Sequence, residues 1–325
     1  MRPRSLDTGG VWRNGVVVRS YLPIDDVPGL AVIVRGWLHG NTVVLPGRVP
    51  AIIDTGYHTG VDHLLEVLAD EAGLGGLAHM YLTHVHSDHA GGCATLRRRT
   101  GATIHAHRDC QRQVEAWDPR ALWLEGMGQH MDRFRVHRTL APGDEVETGD
   151  LRWQVVATGG HAVGGVSFYE PTQRILVSGD ALWEDGLGVL NVPLEGDQVF
   201  GLADQALDTL ATLDVALVIP GHGLPFTDFD GALARARKTL ATWRDDKGRL
   251  IRHNLRGGLA FWLLAHEGAP REDLEAMAAT FLRESGSAAG DGAVAQVLGD
   301  LGRADVLEER GGQVFAGDRI KAPGT

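Results

Sequence analysis

The segment from Thr83 to Gly92, THVHSDHAGG, constrains this chain more than any other part of its sequence. Three imidazoles and a carboxylate stand within it, at His84, His86, Asp88 and His89. Because the segment follows a predicted strand, the alternation of side chains directs His84 and His86 to the same side. The glycine pair that ends the segment allows a tight turn into the next helix. So dense a set of nitrogen and oxygen donors is typical of a divalent-metal site.

Three further donors stand beside glycines where predicted strands end. They are His161 after the strand Leu151–Ala157, Asp180 after the strand Arg174–Ser178, and His222 after the strand Val215–Ile219. Because loops at strand ends commonly carry binding and catalytic residues, we expect these donors to converge on one rim with the histidine-rich segment.

Composition excludes several classes of protein. The chain has 325 residues, 43% hydrophobic and 22% charged, which excludes wholesale disorder. No stretch approaches the roughly 18 to 20 uninterrupted apolar residues of a spanning helix. The N-terminus lacks the apolar region of a secretory signal, so a cytoplasmic protein is expected. A formal net charge of −11 disfavours nucleic acid as a partner, because polyanions bind basic surfaces.

Cysteine is scarce, with Cys93 and Cys110 alone in the sequence. Two cysteines are too few for a disulfide framework. We expect both to behave as small buried apolar side chains.

The first 225 residues alternate β-rich and βα-rich stretches in two similar halves. After the N-terminal residues 1–14, which we expect to be loosely attached, this pattern predicts an α/β fold with two packed sheets and helices outside. The expected architecture is a four-layer αββα sandwich that forms a catalytic domain over residues 15–250.

The pattern of predicted elements changes after about residue 250. It predicts a small, mainly helical C-terminal module over residues 251–325. Its predicted elements are helices at Gly258–His266, Arg271–Glu284 and Ala293–Leu301 and a hairpin of Val306–Glu309 with Gln313–Ala316. Helices followed by a ribbon suggest a winged-helix-like module. Residues 254–325 carry seven basic and eleven acidic side chains, the wrong balance for binding duplex nucleic acid. We therefore expect the module to cover the catalytic mouth or to form a homodimer contact through the apolar residues 261–264.

Taken together, these motifs resemble the metallo-β-lactamase superfamily of binuclear metallohydrolases. The matching pieces, in the family's order, are IIDTG with Asp54, HVHSDHAGG, the loop of His161, SGD with Asp180 and GHG with His222. They span about residues 15–225. One piece departs from the family pattern: many members have Pro-Gly-His-Thr-Pro around the third histidine, whereas this chain has Gly160-His161-Ala162-Val163.

The resemblance implies two metal ions and a role for each matching residue. It assigns one ion to His84, His86 and His161 and the other to Asp88, His89 and His222. Asp180 would bridge the two ions, and Asp54 would be a buried carboxylate that orients the ligands. Zinc suits this nitrogen and oxygen donor set, although iron and manganese remain open.

The implied chemistry is metal-assisted hydrolysis by a hydroxide held between the two ions. Asp88 is the expected proton carrier for the leaving group. We expect a small-molecule substrate, first of all a small thioester or ester as in glyoxalase II.

Several alternatives stay open on the sequence alone. One is a lactonase or a β-lactamase-type hydrolase; the lactonase pattern places Tyr where this chain has Trp183. Another is a mononuclear iron enzyme that resembles persulfide dioxygenases and uses His84, His161 and Asp180. A nuclease or a nucleic-acid-binding regulator is disfavoured by the acidic charge, and no membrane association is expected.

Overall fold

The structure, a computed structural model, describes residues 12–13, 16–17, 21–24, 27–70, 72–73, 76–125, 128–266, 268–285 and 291–317. Most of the N-terminal segment predicted to be loosely attached lies outside these residues. Within them, no helix combines the length and the apolar character needed to cross a membrane.

Strands form four sheets in the described residues. A short ribbon pairs β1 (Trp12–Arg13) with β2 (Val16–Val17). The first large sheet contains, in chain order, β3 (Tyr21–Pro23), β4 (Ala31–Ile33), β5 (Thr42–Leu45), β6 (Ala51–Ile53), β7 (His79–Tyr81), β8 (Thr103–His107) and β9 (Arg138–Leu140). The second contains β10 (Glu145–Thr148), β11 (Leu151–Ala157), β12 (Val166–Glu170), β13 (Ile175–Gly179) and β14 (Leu217–Pro220). A small sheet near the C-terminus contains β15 (Ala269–Pro270), β16 (Leu307–Arg310) and β17 (Gln313–Ala316).

The helices in the part of the chain that the structure describes lie between these strands and after them. Six belong to the two large halves: α1 (Val61–Asp70), α2 (Ser87–Ala90), α3 (Cys93–Thr100), α4 (Arg108–Ala116), α5 (Val192–Glu195) and α6 (Gln198–Leu210). Four follow the last strand of the second sheet: α7 (Phe229–Asp245), α8 (Lys247–His266), α9 (Arg271–Glu284) and α10 (Asp291–Arg303). A single 3₁₀ turn, His58–Gly60, precedes α1.

The strand directions explain why functional loops gather at one edge. Strands β3 to β6 are antiparallel neighbours, whereas β6 to β9 run parallel. In the second sheet β13 and β14 are also parallel, with Gly179 opposite Pro220. Parallel neighbours end at the same edge, so the loops that follow them lie side by side.

Apolar side chains fill three layers between sheets and helices. One cluster lies between the two large sheets and includes Phe168, Trp153 and Ile53. A second packs the first sheet against α1, α3 and α4, and a third packs the second sheet against α6 and α7. This layering confirms the predicted αββα sandwich, in which each sheet buries one face against the other and the opposite face under helices. Cys93 and Cys110 are both buried, as predicted.

The C-terminal region has a separate apolar cluster built on α8, α9 and α10. Its described elements run helix, strand, helix, helix, strand, strand, an order compatible with the predicted winged helix. The predicted helix Gly258–His266 is too short, because α8 begins at Lys247 and continues through Gly257 and Gly258. The sequence favoured a break there because glycine destabilises helices. Burial of Leu255, Leu259 and Leu263 on one face of α8 offsets that cost. The domain boundary near residue 250 stays a prediction, and α8 runs across that position.

Other differences are local. Strand β9 was not predicted, because Arg138 and Thr139 are exposed and show no apolar alternation. The apolar run Leu30–Trp37 predicts a longer strand than β4, which ends at Ile33 and is followed by a turn at residues 37–38. Segment 121–131, whose apolar residues are interrupted by glycines and so predict neither a helix nor a strand, is irregular where the structure describes it.

Candidate metal centre

The predicted donors meet at the edge where strands of the two large sheets end. His84 and His86 follow β7, and Asp88 and His89 lie on the short helix α2 directly after them. The remaining donors come from the second sheet: His161 follows β11, Asp180 follows β13 and His222 follows β14.

These donors form two groups, each compact enough for one cation. The first group is His84, His86 and His161, and the second is Asp88, His89, Asp180 and His222. Within each group, one ligand atom from every residue lies within 4.8 Å of the others. The structure therefore brings all seven predicted donors together, all of them buried.

Asp180 lies between the two groups. Its Oδ2 is 3.4 Å from Nε2 of His161, which belongs to the first group. Its Oδ1 is 3.4 Å from Nε2 of His89, in the second group. A carboxylate placed in this way can contact cations on both sides.

Hydrogen bonds fix the orientation of individual imidazoles. Nδ1 of His161 donates to the carbonyl of Val189 at 2.7 Å, so Nε2 is the nitrogen that faces Asp180. Nδ1 of His89 lies 2.8 Å from Oδ2 of Asp54, and since that carboxylate is the acceptor, the imidazole donates. In both residues the outer nitrogen is engaged and Nε2 is directed into the centre.

Two buried nitrogens test whether a cation fits. Nε2 of His84 and Nε2 of His89 are buried, and neither has a hydrogen-bond partner among the described residues. A buried unpaired polar atom costs free energy, so native structures rarely contain one without a reason. Both atoms belong to the compact groups, whose donors are nitrogen and oxygen atoms alone. The residues therefore fit divalent cations, which use such nitrogens as ligands.

Electrostatics favour the protonation states that cation binding needs at His84, His86 and Asp88 and oppose them at His89. Burial, together with the charge of neighbouring histidines, lowers the pKa of His84 and of His86 well below the usual value, so both are neutral. Burial opposes ionisation of Asp88, but His89 and His222 outweigh it and lower the pKa of the carboxyl to about 2. Neutral imidazoles and ionised carboxylates are the ligand forms of these side chains. Burial lowers the pKa of His89, but Asp180, Asp88 and Asp54 outweigh it and raise that pKa well above the usual value, so a cation that binds His89 would replace a proton.

Close packing excludes residues larger than glycine at two positions in the loops beside the donors. Gly221 directly precedes His222, and a Cβ built on it would overlap Oδ1 of Asp180. A Cβ on Gly40 would lie 2.7 Å from the ring of His89. At both positions glycine lets the backbone approach a donor side chain.

Asp54 supports the centre from behind. It accepts hydrogen bonds from the backbone N–H of Thr83 at 2.8 Å and from the Thr83 hydroxyl at 2.7 Å, besides the bond from His89. The residue is 2% exposed and has a φ of 59°, in the left-handed region that Asp tolerates better than most residues. The predicted orienting carboxylate thus contacts a donor of the second group and the start of the histidine-rich segment.

A cleft opens onto both donor groups. Its walls include the aromatic residues Trp123, Trp183 and Phe261. The Trp123 ring stacks on His86 with centroids 4.1 Å apart, and Nε1 of Trp183 donates to Oδ1 of Asp180 at 3.1 Å. The centre is therefore accessible to a small molecule through a largely aromatic opening.

Comparison with known proteins places this centre in a family. The family model of the metallo-beta-lactamase superfamily matches residues 35–222, more than half of the chain. The chain belongs to the metallo-beta-lactamase superfamily. That match contains both donor groups and ends at His222.

Curated relatives of this superfamily match parts of the chain. A probable metallo-hydrolase, YqgX, from Bacillus subtilis (strain 168) is 30% identical over 177 residues, 52% of this chain and 78% of the relative. A hydroxyacylglutathione hydrolase from Rhodobacter capsulatus is 32% identical over 153 residues, 46% of this chain and 47% of the relative. The chain thus spans about half the length of that relative. The names of both relatives support the hydrolase class that the motifs predict.

Solved structures show the same fold. A metallo-beta-lactamase family protein from Thermus thermophilus has a TM-score of 0.53 at 22% identity, covering 91% of this chain and 97% of its own. The di-iron-bound form of TTHA1623 has a TM-score of 0.51 at 26% identity, covering 63% of this chain and 98% of its own.

Several residues at this superfamily centre were missed by the sequence argument. Asn41 binds the carbonyls of Pro220 and Gly223 through its side chain, and so holds the loop of His222. Trp37 stacks on His222 with centroids 5.3 Å apart. A single Asn or Trp in a loop carries no local signal, so only the tertiary contacts identify them.

Two other histidines that follow predicted strands, His58 and His107, do not line the cleft. Nδ1 of His107 instead accepts a hydrogen bond from the backbone of Asp109, which caps α4.

Proposed function

We propose that this chain is a binuclear metal-dependent hydrolase that acts on a small thioester or ester. The family and its metal-binding groups support a metallohydrolase, and the hydroxyacylglutathione hydrolases among its relatives favour the thioester class.

The observation that carries the proposal is the pairing of two donor groups through one carboxylate. Asp180 contacts His161 of one group and His89 of the other at 3.4 Å each. Structural zinc is usually enclosed by four protein ligands, whereas this centre opens to a cleft. An open paired centre suits catalysis better than a structural role.

We propose a role for each donor in this hydrolase. One ion would be held by His84, His86 and His161 and the other by Asp88, His89 and His222, with Asp180 shared. When bound, two divalent cations would lower the pKa of a water molecule toward neutrality and polarise the carbonyl oxygen of the ester or thioester.

The chain's own residues orient the centre and move the proton. Asp54 and the Val189 carbonyl hold the imidazoles of His89 and His161 in fixed orientations. Asp88 lines the cleft, and its Oδ2 lies 3.0 Å from Nε2 of His222. An ionised carboxylate at this position can accept a proton from the attacking water and deliver it to the leaving group.

Zinc is the proposed metal because all the donors are nitrogen or oxygen. Iron and manganese suit the same donors. The di-iron-bound form of TTHA1623, at 26% identity, makes iron the first alternative.

The test combines metal content with a substrate panel. We expect two divalent ions per chain and hydrolysis of thioesters or esters ahead of lactones, β-lactams and phosphodiesters. His86→Ala should lose the first ion and most of the activity, whereas His137→Ala, at a histidine that is not part of the cleft lining, should lose neither. A lactone or β-lactam as the best substrate would replace the thioester proposal with the corresponding alternative.

The mononuclear iron alternative makes a different prediction. It would use His84, His161 and Asp180 and give one iron per chain with oxygen uptake. The complete second group of four buried donors favours two ions instead. A cytoplasmic location and a homodimer stay predictions of the sequence.

A further inference from the structure

One wall of the cleft comes from helix α8, which lies beyond the superfamily match at residues 35–222. Asn254, Gly257, Gly258 and Phe261 line the cleft from this helix. Gly257, Gly258 and Phe261 follow Asn254 by three, four and seven residues. These spacings place all four residues on one face of the helix. Helix α8 therefore adds recognition surface to a metal centre that the matched region supplies.

Asn254 has a buried acceptor atom with no partner. The residue is 5% exposed, and its Nδ2 donates to the carbonyl of Leu190 at 2.8 Å. That bond identifies Oδ1 as the remaining acceptor, and Oδ1 has no hydrogen-bond partner among the described residues. A buried acceptor without a hydrogen bond destabilises the folded chain, so its presence in a cleft wall suggests a ligand that donates to it.

Trp123 offers the complementary group from a different wall. Its ring stacks on His86, and its buried Nε1 has no hydrogen-bond partner in the part of the chain that the structure describes. Since indole N–H is a donor only, it can bind a carbonyl oxygen of a ligand. The residues that line the cleft therefore contain one buried unpaired acceptor, Oδ1 of Asn254, and one buried unpaired donor, Nε1 of Trp123.

The lining of the cleft contributes no cationic side chain. Among the described lining residues there is no Lys or Arg, and the acidic residues are Asp88 and Asp180, both donors of the metal centre. Val189, Trp183 and Phe261 supply apolar surface. Cations bound at the centre would be the main positive charges of the cleft. The unpaired atoms of Asn254 and Trp123 are therefore the side-chain groups that can distinguish between ligands of equal charge.

We propose that Asn254 is a specificity-determining residue that accepts a hydrogen bond from an ester or thioester bearing an N–H group. Trp123 donates to a carbonyl of the same substrate. This inference rests on the proposed hydrolase function and adds to its substrate class a hydrogen-bond donor on the part that enters the cleft.

The test uses thioesters that differ by one atom. N-acetylglycyl and acetoxyacetyl thioesters of methyl 3-mercaptopropionate have the same shape, but the first has N–H where the second has oxygen. The wild-type enzyme should prefer the N–H substrate by about 10- to 100-fold in kcat/KM, since the oxygen analogue leaves the acceptor unpaired.

Two variants separate recognition from structural support. Asn254→Leu removes the acceptor and should bring the preference close to one by slowing the N–H substrate. Asn254→Asp keeps an acceptor but loses the donor to Leu190, so it should retain the preference for N–H. If Asn254 only holds Leu190, both variants will slow both substrates equally, which overturns the proposal. Arg252→Leu, an exposed site on the same helix, is the matched control and should change nothing.

Binding gives a readout that does not depend on turnover. Ketone analogues with CH₂ in place of the thioester sulfur are unreactive, and tryptophan fluorescence should report the same N–H preference as dissociation constants. Equal wild-type values for both members of the pair overturn the proposal even if the variants fail to fold. If the metal-loaded enzyme hydrolyses none of the thioesters, the proposed function fails, whereas equal hydrolysis of the pair contradicts the role of Asn254 alone.

Discussion

Oδ2 of Asp54 lies 2.8 Å from Nδ1 of His89 and accepts a hydrogen bond from it. This bond places a buried carboxylate behind an imidazole whose other nitrogen is directed into the second donor group. Since such carboxylates fix the tautomer of a metal-binding histidine and increase its basicity, Asp54 should control metal affinity without being a ligand.

Asp54→Asn should therefore weaken binding of one of the two ions by about 10- to 100-fold. Asn also tolerates the positive φ of this position, so the backbone should be kept. Competition with a chromophoric chelator measures the two dissociation constants. Asp62→Asn, at an exposed carboxylate paired with Arg99, is the control. Unchanged constants in Asp54→Asn would mean that the bond to His89 has no role in metal binding.

Gly221→Ala tests the close approach of the loop of His222 to Asp180. The added methyl would overlap Oδ1 of Asp180, so we expect loss of at least one ion and a fall in activity of about 100-fold or more. Gly201→Ala is matched, because that glycine lies in α6 and a Cβ there would contact nothing. It should keep activity and gain about 0.5–1 kcal/mol of stability, since Ala favours helix. Full metal content in Gly221→Ala would contradict this packing argument.

The donor set could be predicted from sequence because its information is local. His84 to His89 lie on six consecutive residues, and His161, Asp180 and His222 each follow a strand that has a clear apolar pattern. The four layers of the αββα sandwich could be predicted from the alternation of strands and helices along the chain.

The cleft could not be predicted in that way. Trp123 lies in an irregular segment and has a positive φ. Asn254 lines the cleft because α8 packs against α7 and because its side chain bonds to the carbonyl of Leu190. The glycine pair Gly257 and Gly258 also disfavoured a continuous helix, so the predicted helix began only at Gly258. Contacts of this kind depend on how distant elements pack, for which the sequence alone contains no periodic signal.

Trp183→Phe tests the hydrogen bond to the shared carboxylate. The change removes the indole N–H that donates to Oδ1 of Asp180 at 3.1 Å but keeps an aromatic ring in the cleft wall. Because hydrogen bonds to charged groups contribute about 1.5–3 kcal/mol, we expect kcat to fall about tenfold or more. Trp117→Phe, away from the cleft, should leave kcat unchanged. Steady-state kinetics at full metal occupancy separates the two, and equal kcat values would show that the bond is dispensable.

Glu195 gives a pH dependence that is separate from the metal centre. Burial raises the pKa of its carboxyl to about 7, so the folded chain holds this proton more tightly than the unfolded chain does. The contribution of Glu195 to the free energy of unfolding is therefore most favourable below the unfolded pKa near 4.5. That contribution is lost as pH rises through 7.

Glu195→Gln should remove the loss of stability that accompanies ionisation of this carboxyl. Urea unfolding between pH 5 and pH 8 should show the variant gaining about 2 kcal/mol on the wild type as pH rises. The donors of the centre titrate in both proteins, so the difference isolates Glu195. A difference that does not change with pH would show that this carboxyl titrates normally.

The number of divalent ions per active chain tests the central claim most directly. Element-resolved analysis of the purified protein, during chelator treatment and metal return, should give two ions per chain, with hydrolysis lost and regained in proportion. One iron per chain with oxygen uptake, or hydrolysis that persists after both ions are removed, would contradict a paired centre built on Asp180.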